Sequence, residues 1–160
     1  MKLALNHIAH SRIVTARDCD PVTRYAAEEL AHFLGEIAGC AFRIVNDKQE
    51  PQARDILVGL SKRTAHYADR IAALPQEGYF YCNDGENLVF GGNGRGLLYG
   101  IYAFLEDELG IRFFNPDVTH VPRRSRIEIG LLDRTDAPVM EYREPSMWEA
   151  RHNEYAVRRR

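Results

Sequence analysis

The chain has 160 residues, of which 45% are hydrophobic and 28% are charged, and its formal net charge is −2. The composition is typical of an ordinary globular protein. The length suits one domain and is short for two domains of the usual size. The balanced charge argues against a nucleic-acid-binding protein, and no apolar run reaches the length of a membrane-spanning helix. We therefore expect neither nucleic acid nor a membrane among its partners.

The first third of the chain predicts a strand, a long helix and a second strand. Residues 12–16 form a β-prone run. Asp20 followed by Pro21 is typical of a helix start, because a carboxylate N-cap precedes a residue that lacks an N–H donor. Apolar residues then recur at helical spacing until Gly39 ends the helix, and residues 42–45 form the next strand.

The middle of the chain predicts a third strand, a weaker helix and a hairpin. Residues 46–55 are polar and are expected to form a solvated loop before a buried strand at residues 56–59. Ser61 is a candidate cap for a helix over residues 62–73. The segment Asn83-Asp84-Gly85 lies between two strand-like runs and is a hairpin signal.

The stretch 88–116 organises the rest of the sequence. A short apolar strand stops at two glycines, a glycine-rich turn follows, and apolar residues then share one face of a helix that Gly110 ends. Gly100 lies inside this helix, where glycine costs about 1 kcal/mol relative to alanine. We therefore predict that Gly100 allows the helix to approach the sheet closely. The other residues of this structural motif are Gly91, Gly92, Gly94, Arg95, Gly96 and Tyr99.

These elements predict an α+β fold. Residues 111–114 extend the series of strands, and residues 126–129 alternate as an edge strand does. A hairpin and adjacent strands without a helix between them exclude a purely parallel, doubly wound sheet. A mixed β-sheet with helices packed mainly on one face fits the pattern better.

The N-terminus and the cysteines guide the predicted location. The first apolar run is interrupted at Asn6 and is too short for a signal peptide. Cys19, Cys40 and Cys82 are odd in number and lack metal-site spacing, which favours reduced, structural thiols. We predict a cytoplasmic protein, or a secreted one if a leader has been removed.

Several kinds of chemistry find little support. The glycines of residues 91–96 do not match G-x-G-x-x-G, and a tight strand-to-helix turn is favoured over a nucleotide site. The histidines form no zinc motif, and His7 and His10 are expected at the surface of a terminal arm. No G-x-S-x-G motif is present. We predict no metal site and no cofactor.

Glycoside hydrolysis requires two carboxyl groups that face each other across a cleft. The acidic groups Glu28-Glu29 and 106–108 occur where the helical pattern predicts polar, solvated faces. We therefore predict no catalytic residue in this chain.

Residues 91–117 carry a series of short motifs in an order that is found in a known protein family. These motifs are GG, RG, LYG, FLE, LG, an aromatic pair and Pro-Asp. They resemble the N-terminal domain of family 67 α-glucuronidases and of related glycoside-hydrolase-like proteins, which is β-hexosaminidase domain-2-like. The resemblance extends upstream to residues 21–30, 56–59 and 77–79 and covers most of the chain.

The resemblance implies a mixed-sheet domain that precedes a catalytic (β/α)8 barrel. Residues 1–133 would be the accessory domain, and residues 134–160 would be a linker and a truncated stub, the first strand and loop of a barrel that this chain does not contain. A C-terminal tail of the same domain is the alternative for residues 138–160. The catalytic acids of such hydrolases belong to the barrel, so none is transferred to this chain.

The start of that barrel is where a sugar contact is predicted. Active sites of such barrels lie at the carboxyl ends of the strands. The four candidate substrate-binding residues there are Tyr142, Arg143, Glu144 and Trp148. A purely structural role in joining the two domains fits them equally well.

The sequence thus predicts a non-catalytic accessory domain of a carbohydrate-active protein, with the barrel as its partner in cis. The chain alone is not expected to be an enzyme, although its parent protein is predicted to be a glycoside hydrolase. The first alternative is a self-standing module that binds carbohydrate or another small ligand. The second is a nucleotide-binding enzyme that uses the glycine loop of residues 91–96.

Overall fold

A computed structural model describes residues 1–140 and 152–159 of the chain. The helices are α1 (Pro21–Ala38), a 3-10 helix (Lys62–Tyr67), α2 (Ala68–Ala72), α3 (Gly96–Asp107) and α4 (Asn153–Arg159). The strands are β1 (Lys2–Leu5), β2 (Ile8–Ala9), β3 (Ile13–Thr15), β4 (Ile44–Asn46), β5 (Ile56–Val58), β6 (Tyr79–Asn83), β7 (Leu88–Gly92), β8 (Arg112–Asn115), β9 (Val118–His120), β10 (Arg126–Glu128) and β11 (Leu132–Asp136).

The main sheet has the strand order β11-β6-β7-β5-β3-β4. Strands β4, β3, β5 and β7 are parallel to one another, whereas β6 and β11 are antiparallel to their neighbours. Every residue of β3 and β5 is buried, as expected for parallel strands that are covered on both faces. The prediction of a fold that combines helices with a mixed sheet is confirmed.

Helix α1 begins and ends where the sequence predicts. The Asp20 carboxylate accepts a hydrogen bond from the Thr23 N–H at 3.0 Å, and Pro21 occupies the first helical position. Gly39 has a φ of 66° and donates its N–H to the Gly35 carbonyl at 2.8 Å. An N-cap of this type contributes about 1 kcal/mol, and a left-handed C-terminal residue favours glycine.

The helices form unequal layers on the two faces of the main sheet. The long helices α1 and α3 cover one face, which presents residues such as Ile13, Val58 and Phe90. The short 3-10 helix and α2 lie over the other face, where Tyr67 and Ile71 pack on a smaller cluster. In the part of the chain that the structure describes, no helix combines the length and hydropathy needed to cross a bilayer.

Glycines bring α3 close to the sheet. An added Cβ at Gly92 would lie 2.2 Å from the Leu97 nitrogen, and one at Gly96 would lie 2.2 Å from the Gly78 carbonyl oxygen. At Gly100, the added Cβ would lie 3.0–3.1 Å from three carbons of Tyr79 on β6. These positions therefore exclude larger side chains by direct contact with the start of α3, with the loop of Glu77 and Gly78, and with β6.

The N-terminus is a hairpin and not a terminal arm. Strands β1 and β2 pair with each other, and β10 pairs with β1 to complete a three-stranded sheet. Leu3 and Ala4 are fully buried, and His7 Nδ1 lies 2.7 Å from the Ala38 carbonyl oxygen at the end of α1. The prediction of an arm is wrong, and β10 is an edge strand of this small sheet and not of the main one.

A third layer lies outside the helices. Strands β8 and β9 form a separate two-stranded sheet, in which Phe113 contacts the rings of Phe33 and Tyr102 at centroid distances of 5.4 and 5.7 Å. Tyr155 of α4 is buried and donates its hydroxyl to the Phe114 carbonyl at 3.0 Å. The predicted strand at residues 111–114 therefore exists, but it does not join the main sheet.

The edge of the main sheet lies near the predicted domain boundary. β11 pairs with β6 from Leu132, opposite Asn83, to Asp136, opposite Tyr79. The sheet therefore continues past Asp133, where the sequence places the end of the accessory domain. Val139 and Met140 are exposed and belong to no strand. The rest of the strand predicted at residues 139–143 lies outside the described residues.

We expect Gly100→Ala to destabilise the protein. The contacted atoms are the Cβ and first ring atoms of Tyr79, which β6 holds in place, so a methyl group would overpack the interface at a cost of about 1–3 kcal/mol. This cost exceeds the helix-propensity gain of up to about 1 kcal/mol. Urea melts should therefore give a lower free energy of unfolding than wild type.

Gly130→Ala is the matched control for this measurement. An added Cβ at Gly130 meets no atom within 4 Å, so its free energy of unfolding should stay within about 0.5 kcal/mol of wild type. A Gly100→Ala protein that is more stable than wild type would contradict the close packing of α3 on β6.

Candidate functional site

The space beside the glycine loop between β7 and α3 is occupied by the backbone of a neighbouring loop. The Gly96 N–H donates to the Asn93 carbonyl at 3.0 Å, and the Asn93 N–H donates to the Gly78 carbonyl at 2.9 Å. The segment of Glu77 and Gly78 therefore occupies the space beside the first turn of α3. A phosphate would need that space and the first free N–H groups of the helix. The geometry favours the tight structural turn over a nucleotide site.

Arg95 is part of the same structural contact. Its Nε donates to Glu77 Oε1 at 2.8 Å, and this hydrogen bond raises the pKa of Arg95 above its usual value. Glu77 has a φ of 58°, a left-handed conformation that is uncommon outside glycine. Arg95 therefore helps to hold the strained turn that lies against α3. Tyr99 is buried, and Gly110 has the left-handed φ of 80° that its place after α3 requires.

Asp55 is a buried carboxylate with a saturated set of donors. Arg12 donates from Nε to Oδ1 at 2.8 Å and from Nη2 to Oδ2 at 3.2 Å, while Arg63 and the Gln52 N–H donate to Oδ2. Burial alone would raise the pKa of Asp55, but the hydrogen bonds from the two arginines outweigh burial and hold this pKa below its ordinary value. An ionised carboxylate with these partners joins β3, β5 and the 3-10 helix and is unsuited to act as a general acid.

Glu29 is the centre of a second buried network. The Tyr102 hydroxyl donates to Glu29 Oε2 at 2.7 Å, and Arg158 Nε donates to the same oxygen at 3.2 Å. Burial, and then the hydrogen bond to Glu29, raise the pKa of Tyr102 well above its usual value. The Arg158 guanidinium also lies 5.4 and 5.9 Å from the ring centroids of Phe33 and Phe113. Glu29 therefore links α1, α3 and α4.

These networks correct three predictions about acidic residues. Glu29 and Glu106 are buried, although both were expected on solvated helix faces, and Asp55 is buried at the end of the predicted solvated loop. The helical phase of α1 contains the signal for Glu29, because it lies between Ala26 and Phe33 on the buried face. No local signal identifies Asp55 as buried, because its partner Arg12 lies 43 residues away in the sequence.

The thiols and histidines offer little for catalysis. Burial raises the pKa of both Cys40 and Cys82, which keeps these thiols protonated and weakly nucleophilic. Among the residues that the structure describes, no three His, Cys, Asp or Glu side chains lie close enough together to hold a metal ion. The candidate sugar-contacting residues Tyr142, Arg143, Glu144 and Trp148 lie outside the described residues.

The described part of the chain contains open clefts, of which two are lined by charged side chains. One encloses about 220 Å³ between the β8–β9 hairpin and α4, and its polar lining includes Asp117, His152 and Arg158. Arg158 is already held by Glu29, so this cleft follows from the docking of α4. The other encloses about 360 Å³ between α1 and the edge strand β4, and it extends to the end of β3.

Comparisons with known structures define the fold class first. A family GH115 4-O-methyl-α-glucuronidase with specificity for decorated arabinogalactans is 16% identical and gives a TM-score of 0.59, covering 89% of this chain and 19% of that one. A GH138 enzyme targeting pectin rhamnogalacturonan II gives 0.49 at 18% identity, covering 82% and 12%. A GH20 β-N-acetylhexosaminidase from Streptomyces coelicolor A3(2) gives 0.47 at 13% identity, covering 70% and 19%.

The first of these likenesses shows that the chain shares its mixed α/β fold with one part of that larger structure. The chain spans about a fifth of the length of the GH115 enzyme. None of the curated proteins matches the sequence. The family model described as "Glycosyl hydrolase family 67 N-terminus" matches residues 3–104, which is more than half of the chain. The chain therefore belongs to this family of N-terminal domains and is a glycoside-hydrolase-associated domain, as its motifs predict.

We expect Asp55→Asn to lower the free energy of unfolding at pH 7 by about 3–5 kcal/mol, because it removes the buried carboxylate partner of two arginines. Asp133→Asn is the matched control, since the ion pair of Asp133 with Arg70 leaves the Asp133 side chain 63% exposed. The control should lose about 1 kcal/mol or less. Urea denaturation of the three proteins measures both values, and equal losses would contradict a structural role for Asp55.

The same proteins test the lowered pKa of Asp55. A group whose pKa is lower in the folded than in the unfolded state stabilises the fold above its unfolded pKa, about 3.9 for Asp. This contribution is lost as the pH falls through the folded-state pKa. Between about pH 5 and pH 2, wild type should therefore lose more stability than Asp55→Asn. Parallel losses in the two proteins would exclude the lowered pKa.

Proposed function

We propose that this chain is a non-catalytic accessory domain of an α-glucuronidase-like protein and that it packs against a catalytic (β/α)8 barrel in cis. In this proposal, residues between β11 and α4 provide the linker and the first strand and loop of the barrel, whereas α4 packs back on this domain through Tyr155 and Arg158. The domain supports the catalytic face, while the barrel supplies the two catalytic carboxyl groups. The parent protein, and not this chain alone, is the glycoside hydrolase.

The hydrogen bonds of the buried carboxylates support the proposal that this domain is non-catalytic. A glycosidase needs one carboxyl group that can donate a proton and a second that faces it across an open cleft. Asp55 is engaged by two arginines, and Glu29 is engaged by Tyr102 and Arg158. Both acids therefore serve the fold, which leaves the chemistry to another part of the parent protein.

The position of the chain exit supports a barrel in cis. β11 is an edge strand whose residues are mostly exposed, and Val139 and Met140 follow it as exposed apolar residues. Exposed apolar side chains at a chain exit are suited to packing against a following domain. Residues 142–148 would then reach the carboxyl end of the first barrel strand, where active sites of such barrels lie.

We expect the purified chain to hydrolyse neither aryl α-glucuronides nor aldouronic acids released from glucuronoxylan. A family 67 α-glucuronidase that retains its barrel serves as the positive control, and a cooperative thermal melt verifies that the chain is folded. Chromatography of the released sugars and absorbance of the aryl alcohol measure turnover. Turnover that disappears when an acid within residues 1–133 is changed to its amide would contradict the proposal.

The barrel itself is tested at the level of the gene. We expect the genomic reading frame that encodes this chain to continue past Arg160 with alternating strand and helix patterns that complete a barrel. If the frame ends there, the accessory-domain proposal fails and the alternative of a self-standing binding module is favoured.

A further inference from the structure

The cleft between α1 and β4 is distinct from the buried acid networks. Asp55 and Arg12 lie at the amino ends of β5 and β3, whereas this cleft reaches the opposite end of β3 through Thr15 and Ala16. In open α/β sheets, ligands bind outside the carboxyl ends of parallel strands. The cleft volume of about 360 Å³ lies within the range of about 300–1,000 Å³ that is typical of small-molecule sites.

Two arginines give this cleft an excess of positive charge. Arg17 and Arg24 line it, and neither side chain has a hydrogen bond or an ion pair with any residue that the structure describes. Glu28 is the acidic residue of the lining, so the two arginines leave the charged lining residues with a net positive charge. A guanidinium matches the planar geometry of a carboxylate and can bind it through two hydrogen bonds. The net charge suits a ligand with one negative charge.

The rest of the lining indicates hydroxyl groups on the ligand. Glu28 offers carboxylate oxygens that accept hydrogen bonds, and the Asn46 side chain offers amide hydrogens, since its Oδ1 already accepts from the Lys48 N–H at 3.1 Å. Ala27 and Val45 add a buried apolar surface. An acceptor and a donor beside two cations match a carboxylate that also carries hydroxyl groups, whereas a phosphate dianion would be repelled by Glu28.

We propose that this cleft binds a small polyhydroxylated carboxylate, with Arg17 and Arg24 holding the carboxylate and with Glu28 and Asn46 contacting its hydroxyl groups. The proposal concerns a binding site and does not depend on the barrel or on the proposed accessory role. Its success or failure is therefore independent of the hydrolysis assay.

A titration of the 15N-labelled chain with sodium D-glucuronate tests the site by NMR. We expect saturable shifts of amides at the ends of β3 and β4 and in the first turns of α1. D-glucose, which lacks the carboxylate, should give no saturable shifts at the same concentrations. Equal affinity for glucose, or for inorganic phosphate, would overturn the polyhydroxylated-carboxylate assignment.

Matched arginine variants locate the binding site. Arg24→Gln should weaken glucuronate binding about tenfold, because a charge-assisted hydrogen bond is lost. Arg43→Gln is the control, because Arg43 is exposed and precedes β4 but does not line the cleft. Arg24 is exposed as well, so both variants should retain the wild-type melting transition. Equal affinity in Arg24→Gln and Arg43→Gln would overturn the proposal.

Cys19 provides a second readout that needs no substitution. It is partly exposed and lines the cleft, whereas Cys40 is partly exposed elsewhere. Bound glucuronate should slow the alkylation of Cys19 by iodoacetamide and leave the rate at Cys40 unchanged, as measured by mass spectrometry of the peptides. Unchanged alkylation of Cys19 at saturating glucuronate would place the ligand outside this cleft.

Discussion

Helix α3 lies closer to the sheet than a side chain at its contact points would permit, and the other layers are arranged around this contact. A Cβ at Gly92 would collide with the backbone of Leu97, one at Gly96 with the carbonyl of Gly78, and one at Gly100 with the side chain of Tyr79. As a result, every residue of α3 except Asp107 is buried. Such a helix needs cover on its outer side as well. The β8–β9 hairpin and α4 supply part of that cover through Phe113 and Tyr155.

Burial on both sides of the helix layer explains why the carboxylate of Glu29 lies inside this domain. Glu29 faces α3 from α1, where an isolated carboxylate would be costly, and Tyr102 and Arg158 provide the compensating hydrogen bonds. Asp55 is compensated by Arg12 and Arg63 in the same way. In both networks, residues far apart in the sequence are joined, so these charges specify how elements are arranged. Their engagement is what separates them from the exposed, convergent acids of a hydrolase site.

The sequence predicts features that depend on near neighbours. Asp20 with Pro21 identifies the start of α1, because the N-cap acts on the first turn of its own helix. Gly100 stands out because glycine is unfavourable inside a helix, and a close helix–sheet contact explains its presence. The β1–β2 hairpin is hidden because its turn uses Asn6 and His7 at positive φ without a glycine. β11 is hidden because its outward side chains are polar and its pairing with β6 is long-range. The two acid networks and the α1–β4 cleft likewise require the tertiary arrangement.

The ends of the parallel strands explain where an opening remains. At the end of β5, an added Cβ on Gly59 would lie 2.9 Å from the Thr23 side chain, so the first turn of α1 covers this end. At the end of β7, the close contact of Gly92 with Leu97 lets the start of α3 cover it. The ends of β3 and β4 have no such close helix start in the part of the chain that the structure describes, and the cleft with Arg17 and Arg24 lies there. The packing that closes the ends of β5 and β7 thus leaves a polar, cationic opening at the ends of β3 and β4.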